Sequence, residues 1–409
     1  MQQKLIVLAV AAFASAAAFA QTNRPASSQQ QQQRPAASQQ QPQRPAQAAS
    51  AAPGKPLFSL YGTDLSLYGV LDGGVSYRMA SGMDNALTVD SGISEDNRLG
   101  VNAVRDLGNG LSLLGTLEIG FALDVDSDEG KDIWGRQAFV GLAGGFGKVV
   151  TGTLFTPHYT FVSDIDPFQA GTVGSYRNIF NTGSSSSADD FLAKYCKTLA
   201  NIEDDPDDLP EQCKNVGESQ GANLFDPDRM DNAIAYTSPN FSGFTITGAY
   251  SAKISGHDAG TSKDYKMLAL APRYTSGPLD IGLSFYTITE ADVTNITLGG
   301  TIDTGPIKLH AFASHNQQDS NKTDNFMLGL TIPFDKKHAA QTSFNYGRSD
   351  GGGNAWQFAF GYTYNFDEQA SFYAALAKAD NVVVADNRAD TGRAYDSGVG
   401  IQAGLKYKF

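Results

Sequence analysis

Apolar and polar residues alternate one by one over most of the chain from Leu57 onward. In residues 354–365, for example, Trp356, Phe358 and Phe360 fall on one side of an extended chain, and polar or small residues fall on the other. Such alternation is typical of strands with one apolar and one polar face. The pattern predicts an all-β protein with sixteen strands, near residues 64–78, 97–105, 110–124, 133–142, 146–155, 231–237, 243–251, 264–274, 278–289, 292–302, 306–315, 323–333, 339–347, 354–365, 369–379 and 396–409.

The connections between these strands alternate in length. Short polar turns such as "DLGNG" (106–110), "TSGP" (275–278) and "NFDEQ" (365–369) follow every second strand, and longer segments such as 79–96 and 156–230 follow the others, with 289–292 as the exception. Short turns on one rim and long loops on the other are typical of outer-membrane barrels. We therefore predict a 16-stranded antiparallel transmembrane β-barrel, with its apolar side toward lipid and its polar side toward a water-filled lumen. A soluble β-sandwich with one solvated face is the alternative.

The first 56 residues differ from the rest of the chain. Residues 1–20 combine Lys4, an apolar run and Ala18-Phe19-Ala20, which is the pattern of a cleaved secretory signal. Residues 21–56 are rich in Gln, Pro and Ala and contain a ten-residue repeat that begins at Arg24. This arm has too few apolar side chains to form a core, so we expect it to stay disordered in the periplasm. It is either a solvated tether or a basic tail that contacts an anionic cell-wall polymer or a lipid head group.

Composition narrows the choice of partners and cofactors. A net charge of −13 and a pI near 4.8 argue against a general nucleic-acid binder. Cys196 and Cys213 are the two cysteines of an exported chain, so a disulfide is expected between them. No His or third Cys lies near them, and we predict neither a metal site nor a cofactor.

Several motifs, in order, resemble the general porins of Gram-negative outer membranes. They are "SLYGVLDGGVSY" (66–77), "NRLGVNAVRDLGNGLSLLGTLEIGF" (97–121), "GRQAFVGLAGGFGKVVTGTLFTPHY" (135–159), "RMDNAIAYTSPNFSGFTITGAY" (229–250) and a last strand that ends in Phe. The resemblance implies a homotrimer in the outer membrane that passes ions and small hydrophilic solutes by passive diffusion. It also implies a third loop that folds into the lumen and narrows it.

The resemblance also suggests which residues form the pore constriction. Arginines on the wall would be Arg98, Arg136 and Arg229, and acids on the third loop would be Asp164 and Asp166. The parity of the strand supports an inward Arg98, because Leu99 and Val101 take the other face. Parity is ambiguous for Arg136, which shares the side of Val140 and Leu142. Rim or surface ion pairs are the alternative for the arginines, and ordinary turn formation is the alternative for the two aspartates.

The third loop, residues 156–230, is unusually long and acidic. It holds thirteen acidic and five basic residues, a balance of −8. We expect this charge to concentrate cations, and hence a cation-preferring channel. The run "EDDPDDLPEQ" (203–212) lacks the spacing and the central Gly of an EF-hand, so a solvated acidic surface is favoured over a calcium site.

Two other functions compete with a general diffusion channel. Catalysis by a barrel wall would need Ser, His and an orienting group in register, and no nucleophile motif accompanies the histidines His158, His257, His310, His315 and His338. We therefore predict that the protein is not an enzyme. A substrate-specific channel is the stronger rival, because aromatic residues of the third loop could line a solute path; they are Tyr159, Phe161, Phe168, Tyr176 and Phe180.

The last strand, "GVGIQAGLKYKF" (398–409), is regular to its final residue. In a barrel it must pair with the first strand, which would place Leu405, Tyr407 and Phe409 toward lipid and Lys406 and Lys408 toward the lumen. The resemblance implies that this terminal aromatic strand is also the signal that the barrel assembly machinery binds.

Overall fold

The computed structural model describes residues 56–80, 85–123, 135–180, 226–254, 265–318, 321–350, 353–384 and 393–409. The predicted signal sequence, nearly all of the Gln-rich arm and residues 181–225 of the third loop lie outside these ranges. The expected disulfide between Cys196 and Cys213 and the acidic run 203–212 therefore also lie outside the described residues.

The described chain is almost entirely β-structure. Its strands are β1 Phe58–Leu60, β2 Thr63–Ala80, β3 Ala86–Ser91, β4 Arg98–Gly108, β5 Leu111–Gly120, β6 Gln137–Gly144, β7 Gly147–Phe155, β8 Arg229–Thr237, β9 Phe244–Ser251, β10 Met267–Ser276, β11 Leu279–Ile288, β12 Val293–Asp303, β13 Lys308–Gln318, β14 Asn321–Pro333, β15 His338–Ser349, β16 Gly353–Asn365, β17 Ala370–Val384 and β18 Arg393–Lys408. Two helices, α1 Pro157–Ile165 and α2 Arg177–Phe180, lie in the third loop. Among the described residues, no helix is long and apolar enough to cross a membrane.

The strands close into the predicted 16-stranded antiparallel barrel. Each of β4 to β17 pairs with the next strand along the chain, and β18 pairs with β2 from Gly398↔Ala80 to Lys408↔Val70. Residues 63–70 of β2 pair with β4. All sixteen predicted strands are confirmed, with ends displaced by a few residues.

Two short strands were missed by the sequence pattern. β3 lies in the first loop and pairs with residues 73–78 of β2. β1 has only three residues and pairs with residues 63–65 of β2. β18 ends before it reaches that part of β2, so β1 occupies the edge that would otherwise be unpaired. Three residues are too few to show a period, which is why the alternation did not reveal β1.

The two faces of the wall differ as the alternation predicts. Phe358 and Phe360 of β16 are 52% and 50% exposed on the outer face, whereas Gln357 and Ala359, which alternate with them, are buried inside. Leu117 of β5 and Leu376 of β17 follow the same outward pattern. A wide band of exposed apolar side chains is the surface that lipid covers on a barrel of this kind.

Aspartates shape the tight turns on one rim. Asp106, Asp303, Asp335 and Asp367 each accept a hydrogen bond from the backbone N–H two residues on, at distances of 2.7–2.8 Å. Bonds of this kind favour a turn over continued pairing. The exceptional short connection on the other rim is a 3₁₀ turn at Thr289–Ala291.

The C-terminal residue is paired on the wall. The N–H of Phe409 donates to the carbonyl of Gly69 at 3.2 Å, and its carbonyl accepts from the N–H of Gly69 at 2.9 Å. The Phe409 ring lies over Gly69 and stacks on Tyr407 with centroids 5.8 Å apart. Leu405, Tyr407 and Phe409 are exposed on the outer face, as expected from parity. Lys406 and Lys408 lie on the inner face.

Candidate functional site: the charged wall and the third loop

The third loop turns into the barrel directly after β7. Thr156 caps α1 by accepting a hydrogen bond from the N–H of Tyr159 at 3.0 Å, and Pro157 occupies the first helical position. α1 then packs along β9 to β13, and α2 packs against β15 to β17. The described part of the loop therefore lies inside the barrel along one side of the wall, as predicted.

The aromatic residues of the loop pack against the wall. Phe161, Tyr176 and Phe180 are at most 3% exposed and form one apolar cluster with Phe312 of β13. Phe168 packs in a second cluster of wall alanines. Tyr159 stacks on Phe155 and carries the Arg177 guanidinium over its ring. Four of the five candidates for an aromatic solute path are thus buried, and they hold the loop instead of lining water.

The three predicted arginines, at the starts of β4 and β8 and just before β6, meet in one cluster. The Arg136 guanidinium binds Glu118 of β5 at 2.8 Å and Asp96 at 2.7 Å. Arg98 lies 3.6 Å from Glu118, and Arg229 lies 3.8 Å from Asp96. All three arginines keep some exposure, between 11% and 26% of the side chain. We call this set, with the residues of the next paragraph, the charged wall.

Two acids of the charged wall come from the first loop and were missed by sequence reasoning. Glu95 is 3% exposed and binds Arg98 at 2.5 Å, Lys408 at 2.6 Å and Lys406 at 3.3 Å. Burial alone would raise the pKa of Glu95, but the nearby Lys406, Lys408 and Arg98 outweigh it and hold that pKa well below its usual value. Asp96 is 56% exposed. The sequence "SEDNRLG" does indicate one of these ion pairs, because Glu95 stands three residues before Arg98, close enough in sequence for the two side chains to meet.

The two predicted acids of the third loop lie elsewhere. Asp164 is 5% exposed and binds Arg273 of β10 at 2.6 Å, which ties α1 to the wall. Asp166 is 1% exposed, and its carboxylate accepts backbone N–H groups of Phe168, Ala170 and Tyr176 at 2.9–3.3 Å. Burial raises the pKa of Asp166 to about 6 in spite of these bonds. The geometry of Asp166 favours its alternative role, the stabilisation of a turn.

A buried Ser, His and Asp also meet where the loop packs on β11. His158 Nδ1 lies 3.2 Å from Ser284 Oγ, and its Nε2 lies 3.6 Å from Asp226 Oδ1. Burial lowers the pKa of His158 to about 4, so the ring is neutral at pH 7. All three side chains are 0% exposed, and Asp226 is bound by Arg177 and Tyr176. The group is closed to solvent, and its contacts join α1 and the end of the loop to Ser284 of β11.

Comparison with known proteins places the chain in a family. A family model described as Gram-negative porin matches residues 7–383. An outer membrane porin protein of Bordetella pertussis is 23% identical over 406 residues, covering 83% of this chain and 94% of the relative. Outer membrane porin protein 32 of Delftia acidovorans is 24% identical over 369 residues, covering 85% and 94%.

Solved structures agree on the fold. The anion-selective porin from Comamonas acidovorans superimposes with a TM-score of 0.68 at 23% identity, covering 85% of this chain and 100% of that one. OmpT of Vibrio cholerae in its trimer form gives a TM-score of 0.54 at 18% identity, with 85% and 100% covered. The chain therefore belongs to the Gram-negative porin family, as a β-barrel of the outer membrane.

Proposed function

We propose that this chain forms a water-filled channel for the passive diffusion of ions and small hydrophilic solutes. One observation carries the proposal: a barrel with an apolar outer face encloses charged side chains that reach water, with Asp96 more than half exposed between Arg136 and Arg229. Exposed charges inside a barrel need an aqueous path. Both helices of the third loop pack along β9 to β17, and this path runs beside the arginines of the charged wall, which lie at β4, β6 and β8.

Reconstitution of the purified protein into planar bilayers tests this function. We expect ohmic current steps that appear in groups of three, because the trimer form of the related OmpT and the family resemblance both support a homotrimer. Heat-denatured protein is the control. A native preparation that inserts without conductance would remove the proposal.

Asp96 is the residue through which the charged wall should influence ion preference. In the Asp96→Asn variant, Arg136 and Arg229 lose an exposed counter-charge, so anions near them are stabilised. Charges about 4 Å apart in water interact by about 1 kcal/mol before screening, so we expect the anion-to-cation permeability ratio to rise about threefold. Reversal potentials in a salt gradient measure this ratio.

Asp335→Asn is the matched control, because it removes the same charge from a turn on the rim. This variant should leave the reversal potential unchanged. An equal shift in both variants would mean that net charge, and not the charged wall, sets the preference.

The predicted cation preference remains a hypothesis that rests on the third loop. Residues 181–225 hold nine acids and three bases, a balance of −6. The comparisons lend it no support, since the structurally similar Comamonas porin is named anion-selective. At 23% identity that likeness shows the fold alone, so ion preference has to be measured on this chain.

Neutralising the acidic run gives the decisive result. A variant with Asp204, Asp205, Asp207 and Asp208 replaced by Asn should shift the reversal potential toward anions relative to the wild-type channel. The amount of assembled trimer serves as the control for folding. A wild-type channel that prefers anions, or a variant without any shift, would show that the hypothesis is wrong.

A further inference from the structure

Five glycines on the inner face of the barrel mark the path of the third loop. They lie on β11, β12, β14, β16 and β18, at inward positions of each strand: Gly282, Gly299, Gly329, Gly361 and Gly400. Glycine weakens the interior of a strand, and there it often marks a place where another part of the protein approaches closely. We call this set the glycine seat.

Each glycine of the seat faces one apolar side chain of the loop. A Cβ at Gly361 would lie 2.6 Å from Phe168 Cε1, and one at Gly400 would lie 2.7 Å from Val173 Cγ1. At Gly329 the Cβ would run into the ring of Pro167. Ile165 and Phe161 take the same places over Gly299 and Gly282, where strand backbone also crowds the added atom.

The loop cannot make room for a Cβ atom at Gly361 by rotating the Phe168 side chain alone. Phe168 is 9% exposed and is packed against Ala359, Ala375 and Ala377 of the wall. On its other side the ring touches Gly174 of the loop itself, where a Cβ would lie 2.5 Å from Phe168 Cδ1. The ring is therefore held between two glycines, and pushing it from the wall pushes the loop with it.

Hydrogen bonds fix the loop over the seat. The N–H of Val173 donates to Gln402 Oε1 at 2.6 Å, and His310 Nδ1 donates to the carbonyl of Ile165 at 2.7 Å. Asn178 Nδ2 donates to Gln357 Oε1 at 2.9 Å. These bonds reach the loop from three separate strands of the wall, so they fix the position of the loop along the seat, and the glycines leave the room for this close approach.

We infer that the glycine seat determines how far the third loop stands from the wall, and thereby the conductance of the channel. The inference rests on the proposed channel function. Interior packing at native density has no room for an extra methyl group, so a side chain on the seat must displace the loop away from the wall behind it and into the lumen. The open path beside the loop therefore narrows.

Gly361→Ala tests the inference by single-channel conductance. Carbon atoms pack at about 3.5–4.0 Å, so the loop should move by about 1 Å. We expect the conductance to fall by roughly 10–30%, as in a pore whose narrowest section shrinks. Gly115→Ala is the control, because its Cβ would lie 3.7 Å from Ala103 Cβ, an ordinary contact away from the loop.

A second variant separates position from folding. Combining Gly361→Ala with Phe168→Leu removes ring atoms where the methyl group is added, so it should restore the wild-type conductance even where Gly361→Ala alone assembles poorly. Wild-type conductance in Gly361→Ala, or a lowered conductance that the second substitution does not restore, would overturn the inference. A wild-type protein that forms no channels would instead remove the proposed function.

Discussion

A variant that lacks Phe409 should reach the outer membrane as a folded barrel in about tenfold smaller amounts than the wild-type chain. The deletion removes both backbone hydrogen bonds between Phe409 and Gly69 and the stack on Tyr407. Two hydrogen bonds at about 1 kcal/mol each, together with an aromatic contact of about 1 kcal/mol, exceed the roughly 1.4 kcal/mol that a tenfold change requires. Both hydrogen bonds lie in the seam between β18 and β2, which closes the barrel, so the loss falls on closure.

The amount of heat-modifiable trimer in outer-membrane fractions measures this effect. Phe409→Tyr keeps the ring and the backbone pair and should assemble normally. Phe366→Ala removes an equally exposed aromatic residue from a turn outside the seam, and it should also assemble normally. If the chain without Phe409 assembled as well as these two controls, neither closure nor the assembly signal would depend on the terminal residue.

The second large effect is expected from Asp226, which holds the end of the third loop. Its carboxylate accepts Arg177 Nε at 2.7 Å and the Tyr176 hydroxyl at 3.0 Å, and it is 0% exposed. Asp226→Ala would leave the guanidinium and the hydroxyl without their acceptor inside the barrel. Breaking a buried ion pair at one partner costs about 3–5 kcal/mol. Arg177 is 29% exposed, so we take the lower end.

Hydrogen exchange of the amides in α1 and α2 reports this loss directly. A local cost of about 3 kcal/mol corresponds to exchange about 100-fold faster in residues 157–180, with the strands unaffected. Asp96→Asn is the control, since an exposed ion pair contributes about 0–1 kcal/mol and exchange should hardly change. Equal protection in the Asp226→Ala variant would mean that apolar packing alone holds the loop.

The barrel could be predicted because each strand repeats the same two-residue pattern against lipid and water. Local alternation is enough to place Trp356 and Gln357 on opposite faces. Sixteen such strands in an open sheet would leave two unpaired edges, and closing the sheet into a barrel pairs them. β1 was missed because three residues carry no period. Its position depends on where β18 ends, which is a property of the far end of the chain.

The charged wall could be predicted only on its basic side. Arg98 begins β4, where parity and motif agree, whereas Arg136 was placed by the motif, because it shares parity with the outward Val140 and Leu142. Asp96 reaches Arg136 across 40 positions, through the course of a loop that has no period. Asp164 and Asp166 show the same limit, because they are two residues apart and yet one binds a wall arginine and the other binds backbone N–H groups. Only the path of the loop distinguishes them.

The glycine seat has a consequence for how such a chain can diverge. Lipid is a fluid that adapts to any apolar outline, so an outward Leu can become Phe, Val or Ile with little penalty. On the inner side of β16, Gly361 packs against Phe168, whose ring is held in place by its neighbours. The space at Gly361 admits a hydrogen atom and no larger group. The range of side chains that a position tolerates thus depends on whether it faces lipid or packed protein. Successive residues of one strand face the two in turn.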